Sequence, residues 1–149
     1  MMKAGLVLFS VLLITCGAVS AEDAEKPDTA AIKAAVADYL EGWFSSDPAR
    51  MERAFHPNLA KFNVRKVGKT DREYLASMTR DELVAMAHHN QEWVKDKKFH
   101  DMKILHQDHR LAVVHAISDG FYDLCNLAKI NGEWKIVQVL WDRNDLGGK

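Results

Sequence analysis

The chain has 149 residues, with 20 Lys and Arg against 21 Asp and Glu, so its formal net charge is −1. That balance argues against nucleic acid or an anionic membrane as a partner drawn in by a strong field. Of the two cysteines, Cys16 and Cys125, only Cys125 lies in the part expected to fold, so no internal disulfide is expected there.

The N-terminus carries Lys3, then the apolar run Ala4 to Cys16, then small residues ending in Val19, Ser20 and Ala21 ahead of Glu22 and Asp23. Charge, apolar core and small residues three and one before an acidic start form the layout of a cleavable signal peptide over residues 1–21. The expected location is periplasmic or secreted after cleavage near Ala21. The segment Leu13-Ile14-Thr15-Cys16 also loosely resembles a bacterial lipobox, so a lipid anchor at Cys16 is the alternative. Residues 22–29 are polar, include Pro27 and read as a flexible leader. One domain is expected over 30–145.

Ile32, Ala35, Val36, Tyr39, Leu40, Trp43 and Phe44 recur at helical spacing and predict a first helix near 29–45. Ser46-Asp47-Pro48 then supplies an N-cap and a proline at the first helical position, predicting a short second helix from Pro48 to about Phe55. His56-Pro57 ends it, because a residue before proline avoids helical angles. Phe62, Val64 and Val67 predict a short strand. Thr79-Arg80-Asp81-Glu82 matches a capping box, so a third helix is expected from Arg80 to about Asn90, with Leu83, Met86 and Ala87 inward.

From Asp101 the period becomes two. Met102 and Ile104, then Leu111, Val113, His115 and Ile117, alternate with a set containing Val114 and Ala116. Turns are expected at Gln107-Asp108 and Asp119-Gly120. Asn131-Gly132 between apolar runs predicts a two-residue hairpin. Counting back from it pairs Asn126 with Val137, Leu124 with Val139 and Tyr122 with Trp141 on one face. Phe121, Asp123, Cys125 and Leu127, with Trp134, Ile136, Gln138 and Leu140, then share the other. Helices first and antiparallel strands after give an α+β fold with about three N-terminal helices beside a curved sheet.

Three segments carry a family likeness: the helix end Trp43-Phe44-Ser45-Ser46-Asp47, then Ala54-Phe55-His56-Pro57, and the tail from Gly120 to Val137 with its Asn-Gly turn and Trp134. Together they resemble the nuclear transport factor 2-like superfamily, and within it the group called putative lumazine-binding proteins. The resemblance implies a cone, a cystatin-like roll in which a bent sheet wraps the helices around a pocket open at one end. It places Tyr39, Trp43, Asn63, Tyr122, Asn126, Val139 and Trp141 at a ligand, with Leu124 and Val137 on the same pocket face. It also implies a homodimer, expected through the apolar outer face of Phe121, Leu127, Trp134, Ile136 and Leu140.

Ketosteroid isomerases share this fold and use a tyrosine, a neutral acid and a carboxylate base. Spacing places Tyr39 at their tyrosine, Asn63 at the base and Asn126 at the second acid. An amide does not take a proton from carbon, so the leading expectation is a small-molecule-binding protein without chemistry of its own. The alternative is a lyase or isomerase using Tyr39 with His56 or Asp142 as base. A third reading is an interaction module with a vestigial pocket. Each aromatic also has a plain reading as core, and His56, His88 and His89 as helix-end residues. No metal or cofactor is expected, since the histidines do not form a converging set.

Overall fold

The computed structural model describes residues 28–144, so the expected signal peptide, the leader up to Pro27 and Cys16 lie outside the described residues. Helix α1 spans Thr29–Ser45 and buries the stripe Ile32, Ala35, Val36, Tyr39, Leu40 and Trp43, the set that recurs at helical spacing. It stops at Ser46, whose left-handed backbone (φ 54°) brings the Asp47 N–H to the Gly42 carbonyl at 2.8 Å, as helix-terminating motifs do. Asp47 then caps α2 (Pro48–Ala54), its side chain accepting the Arg50 N–H with Pro48 in the first turn.

The chain continues into β1 (Phe55–Lys66), much longer than the expected strand, followed by β2 (Glu73–Thr79). Pro57 is accommodated because the register of β1 against its neighbour shifts between Phe55 and Ala60. Strand β2 lies at the sheet edge and is mostly exposed, so it carries little of the alternation by which a strand is read. The capping box at Thr79 and Glu82 opens α3 (Arg80–His89), and the four-residue α4 (Gln91–Val94) follows. Strands β3 (Phe99–Gln107), β4 (Leu111–Ser118), β5 (Phe121–Ile130) and β6 (Glu133–Arg143) complete one six-stranded sheet in the order β2-β1-β6-β5-β4-β3. All neighbours are antiparallel except β1 and β6.

The turns form where expected. Asn131 and Gly132 take φ of 52° and 87°, the positive values a two-residue hairpin requires. Gly120 turns β4 into β5 at φ 93°, and the Asp108 carboxylate accepts the Arg110 and Leu111 N–H groups at 2.8 Å.

The β5–β6 register departs from a simple count. Ile130 pairs with Glu133 and Leu127 with Ile136, but Asn126 pairs with Gln138, leaving Val137 as an extra residue. Such a bulge reverses the side-chain parity of everything beyond it. Val139 and Trp141 therefore share the inner face with Cys125 and Asp123, while Tyr122 pairs with Asp142 and Leu124 with Leu140 on the other.

The inner face thus differs from the expected one on β5. Asp123, Cys125, Leu127, Trp134 and Ile136 are buried beside Ala112, Val114 and Ala116, and they pack against α1 in the core. Tyr122, Leu124 and Asn126 lie on the opposite face, where Asn126 donates to Gln138 at 3.0 Å and Tyr122 is 39% exposed. The resemblance sets the pocket on the Tyr122 face, whereas the Asp123 face turns inward, with Lys61 and Tyr39 partnering the carboxylate. The expected interface is corrected with it: Leu127, Trp134 and Ile136 are core, Phe121 belongs to the inner aromatic cluster, and only Leu140, 44% exposed, stands on the outer face.

Gly42 sets how closely α1 and α2 approach. A Cβ there would lie 2.8 Å from Met51 Cγ and 3.2 Å from the Asp47 carbonyl oxygen, and Met51 is fully buried. Gly42→Val is expected to destabilise the domain by about 2 kcal/mol through overpacking, read as a lower urea midpoint at unchanged slope. Cys125 is buried, and desolvation, followed by the nearby Asp123 charge, pushes its thiol far above the ordinary range. It should remain unreactive to a disulfide reagent at pH 8 in buffer and react stoichiometrically in denaturant. Rapid labelling of the native protein would contradict this burial.

Candidate functional site

Three side chains from three elements meet beneath the wide end of the sheet. Lys61 of β1 donates to Asp123 Oδ1 of β5 at 2.6 Å, Tyr39 of α1 donates to the same oxygen at 3.1 Å, and Lys61 also donates to the Tyr39 oxygen. Both charges are out of solvent, with side-chain exposures of 7% for Lys61 and 1% for Asp123. The Lys61 ammonium lies 5.8 Å from the Phe121 ring and 5.1 Å from the Trp141 ring, within reach of cation–π attraction. Burial first, and the Asp123 charge second, hold the Tyr39 phenol well above its ordinary pKa, so it stays a neutral donor.

This arrangement leaves buried polar atoms unused. Asp123 Oδ2 and Trp43 Nε1, like Ser118 Oγ and Trp134 Nε1, have no hydrogen-bond partner among the described residues, although such groups are nearly always satisfied. Asp123 and Trp43 line a chamber of about 100 Å³, together with Tyr39, Lys61, Met86, Phe121 and Trp141. The chamber wall is mostly apolar and aromatic, with Tyr39, Lys61, Arg65 and Asp123 as its polar members.

A second, wider hollow of about 780 Å³ lies outside it, lined by Trp43, Met86, His89, Trp93, Phe121, Trp141 and Arg143 among others. Trp43, Met86, Phe121 and Trp141 line both spaces, so they form the constriction between them. The rings make a continuous cluster: Trp43 to Trp93 at 6.0 Å, Trp93 to Phe121 at 5.2 Å and Phe121 to Trp141 at 5.2 Å between centroids. Edge and tilted contacts of this kind hold rings in place and leave faces available.

Of the residues expected at a ligand, Tyr39, Trp43 and Trp141 line the chamber. Val139 is on the inner face but wholly buried in the core. Asn63 lies farther out along β1 in a shallower groove beside Arg65 and Glu82, accepting from Arg65 Nε at 3.3 Å. Tyr122 and Asn126 face away from the chamber. His56 sits at the start of β1, its Nδ1 accepting the Asn58 N–H at 3.2 Å, and lines none of the described cavities. Asp142 is exposed on the outer face, accepting the Arg143 N–H. Neither proposed base reaches the chamber; the carboxylate there is Asp123. Among the described residues no group of three or more His, Cys, Asp or Glu is placed to hold a metal.

Lys61, Asp123, Met86, Trp93 and Arg143 were not anticipated at the site. The available signal was a single aspartate in an otherwise apolar alternating set, and a lysine in a strand otherwise punctuated by apolar residues. Two such charges require each other once both point inward.

Breaking the pair is expected to be costly. Lys61→Met leaves the Asp123 carboxylate buried and unpaired, at a cost of about 3–5 kcal/mol. The double substitution Lys61→Met with Asp123→Leu should recover most of that loss, since an apolar replacement of both partners is close to neutral. Urea unfolding of the single and double variants measures it; additive losses would contradict the pairing.

Comparison with known proteins follows the same architecture. No curated protein matches this sequence. Among solved structures, it is similar to an NTF-2 like protein of unknown function from Silicibacter pomeroyi, at 21% identity over 77% of this chain and 94% of that one, with a TM-score of 0.61. A cystatin-like-fold domain from Nostoc punctiforme is similar at 14% identity, covering 81% of this chain and 80% of that one, TM-score 0.58. A ketosteroid isomerase-like protein from Erwinia carotovora atroseptica is similar at 15% identity, covering 80% and 98%, TM-score 0.51. These likenesses establish a shared fold, the α+β cone. At the level of sequence, the profile of the family described as "Putative lumazine-binding" matches residues 27–142, and the chain belongs to that family within the NTF2-like fold.

Proposed function

We propose that this protein binds a small, flat, partly aromatic molecule at the open end of the cone, without covalent chemistry of its own. The observation that carries the reading is a hollow walled by the rings of Trp43, Trp93, Phe121 and Trp141 that adjoins a smaller chamber lined by the Tyr39, Lys61 and Asp123 cluster. At about 100 Å³ that chamber is below the roughly 300 Å³ lower range of small-molecule sites and below the roughly 150 Å³ of a cavity that takes benzene. It suits a polar substituent, an N–H or O–H donor beside an acceptor. The ring system itself rests in the outer hollow, against Trp43, Trp93, Phe121 and Trp141.

The lyase or isomerase alternative gains no base from His56 or Asp142, both away from the chamber. Asp123 is within it, but Oδ1 is engaged by Lys61 and Tyr39. A vestigial pocket is separated from a binding one by size: the chamber alone, at about 100 Å³, falls below the roughly 300 Å³ lower range of ligand sites, whereas the outer hollow of about 780 Å³ exceeds it.

The setting we infer is periplasmic or secreted, by cleavage near Ala21 or with a lipid anchor at Cys16. The assembly we infer is a homodimer on the outer sheet face, where Phe62, Tyr122, Leu124 and Leu140 are incompletely buried and isologous pairing would cover them. Light scattering of the mature protein reads the assembly, and the mass of the exported product reads the processing.

A thermal-shift screen with flat heterocycles, pteridines and flavins included, tests the binding. A true ligand at about 100 times its Kd should raise Tm by roughly 5–10 °C. Met86→Trp, which fills the constriction, should abolish that shift while leaving the apo protein folded. A panel that produces no shift at all overturns the reading.

A further inference from the structure

The outer hollow has a polarity that the aromatic cluster does not explain. Its polar lining consists of His89, Asn90, Arg143 and Asn144 beside the backbone at Gly120. Both amides are committed to the scaffold. Asn90 donates to the Trp43 carbonyl at 3.0 Å and accepts from Ser46 Oγ at 2.7 Å. Asn144 donates to the Ser118 and Phe121 carbonyls and accepts the Gly120 N–H.

What remains for a ligand is the Arg143 guanidinium, with the His89 imidazole beside it. The Arg143 side chain makes no ion pair or hydrogen bond among the described residues, its backbone N–H alone going to Asp142. His89 stands at the last turn of α3, and no aspartate or glutamate lines the hollow. Lys97 adds to the field, its ammonium 3.7 Å from the centre of the Trp93 ring. The Arg143 cation thus lines the hollow with no carboxylate beside it in the lining, in a chain whose net charge is −1.

We propose that the ligand is an organic anion: a flat aromatic body bearing a carboxylate or sulfonate-type group, with the anionic group outward at Arg143 and His89. The inference rests on the binding reading given above and orients the ligand within it. The ring packs against Trp43, Trp93 and Trp141, any donor substituent points inward to Asp123, and the anion stays at the mouth where Arg143 can form charge-assisted bonds.

The test uses two fluorescent probes with the same aromatic body, 1-anilinonaphthalene-8-sulfonate and its uncharged counterpart N-phenyl-1-naphthylamine, titrated into the mature protein. Substituting Arg143→Gln and His89→Gln together, both at the surface, should weaken the sulfonate probe roughly tenfold and leave the neutral probe unchanged. Met86→Trp should weaken both probes. The charge assignment is overturned if the double substitution changes both probes equally or neither. If neither probe binds the unsubstituted protein, the pocket reading falls and the orientation falls with it; if only the neutral probe binds, the pocket stands and the anion assignment does not. Circular dichroism of each variant separates a lost contact from a lost fold.

Discussion

One residue, Val137, has no register partner on β5, and the inner surface of the cone depends on that omission. Up to Ile136 the strand turns one set of side chains inward; beyond Val137 it turns the other. Without the bulge, Leu140 would stand opposite Asp123 and Trp141 would face out. Strand β6 is also the hinge of the sheet, antiparallel to β5 on one side and parallel to β1 on the other. The bend that the bulge adds is therefore transmitted to β1, the strand that delivers Lys61.

The buried ion pair is the second dependent feature. Taking an ammonium and a carboxylate out of water costs several kcal/mol each, and their attraction offsets this only with good geometry and added hydrogen bonds. Tyr39 supplies one such bond, and Phe121 and Trp141 surround the cation with polarisable rings. The pair is not completed, since Asp123 Oδ2 has no partner. Replacing such a pair by apolar residues of similar volume is often neutral or stabilising, so its contribution to stability does not by itself account for it.

Much of the scaffold was legible in the sequence because it is written in local chemistry. The stripe from Ile32 to Trp43, the Asp47-Pro48 start, the Thr79–Glu82 capping box and the Asn131-Gly132 turn each act within a few residues, and each appears where its chemistry requires. Strand β2 was not legible, since an exposed edge strand has no buried face to impose alternation. The site was read only in part. Tyr39, Trp43 and Trp141 were identified, but Tyr122 and Asn126 were placed on the wrong face. Both faces of β5 and β6 carry apolar residues, so their composition did not say which of the two turns toward the helices. The partner of Asp123, Lys61, lies 62 positions away, and no local pattern joins the two.

The constriction between the two spaces contains one part unlike the others. Trp43, Phe121 and Trp141 are fixed by ring contacts, whereas Met86 is an unbranched side chain, 46% exposed on α3, and thioether chains repack readily. Met86 is thus the part of the shared wall able to change rotamer without movement of a helix. Rotamer changes at such exposed positions take picoseconds to nanoseconds. The shape of the wall between vestibule and chamber is accordingly fast to change at Met86 and slow to change at the three rings.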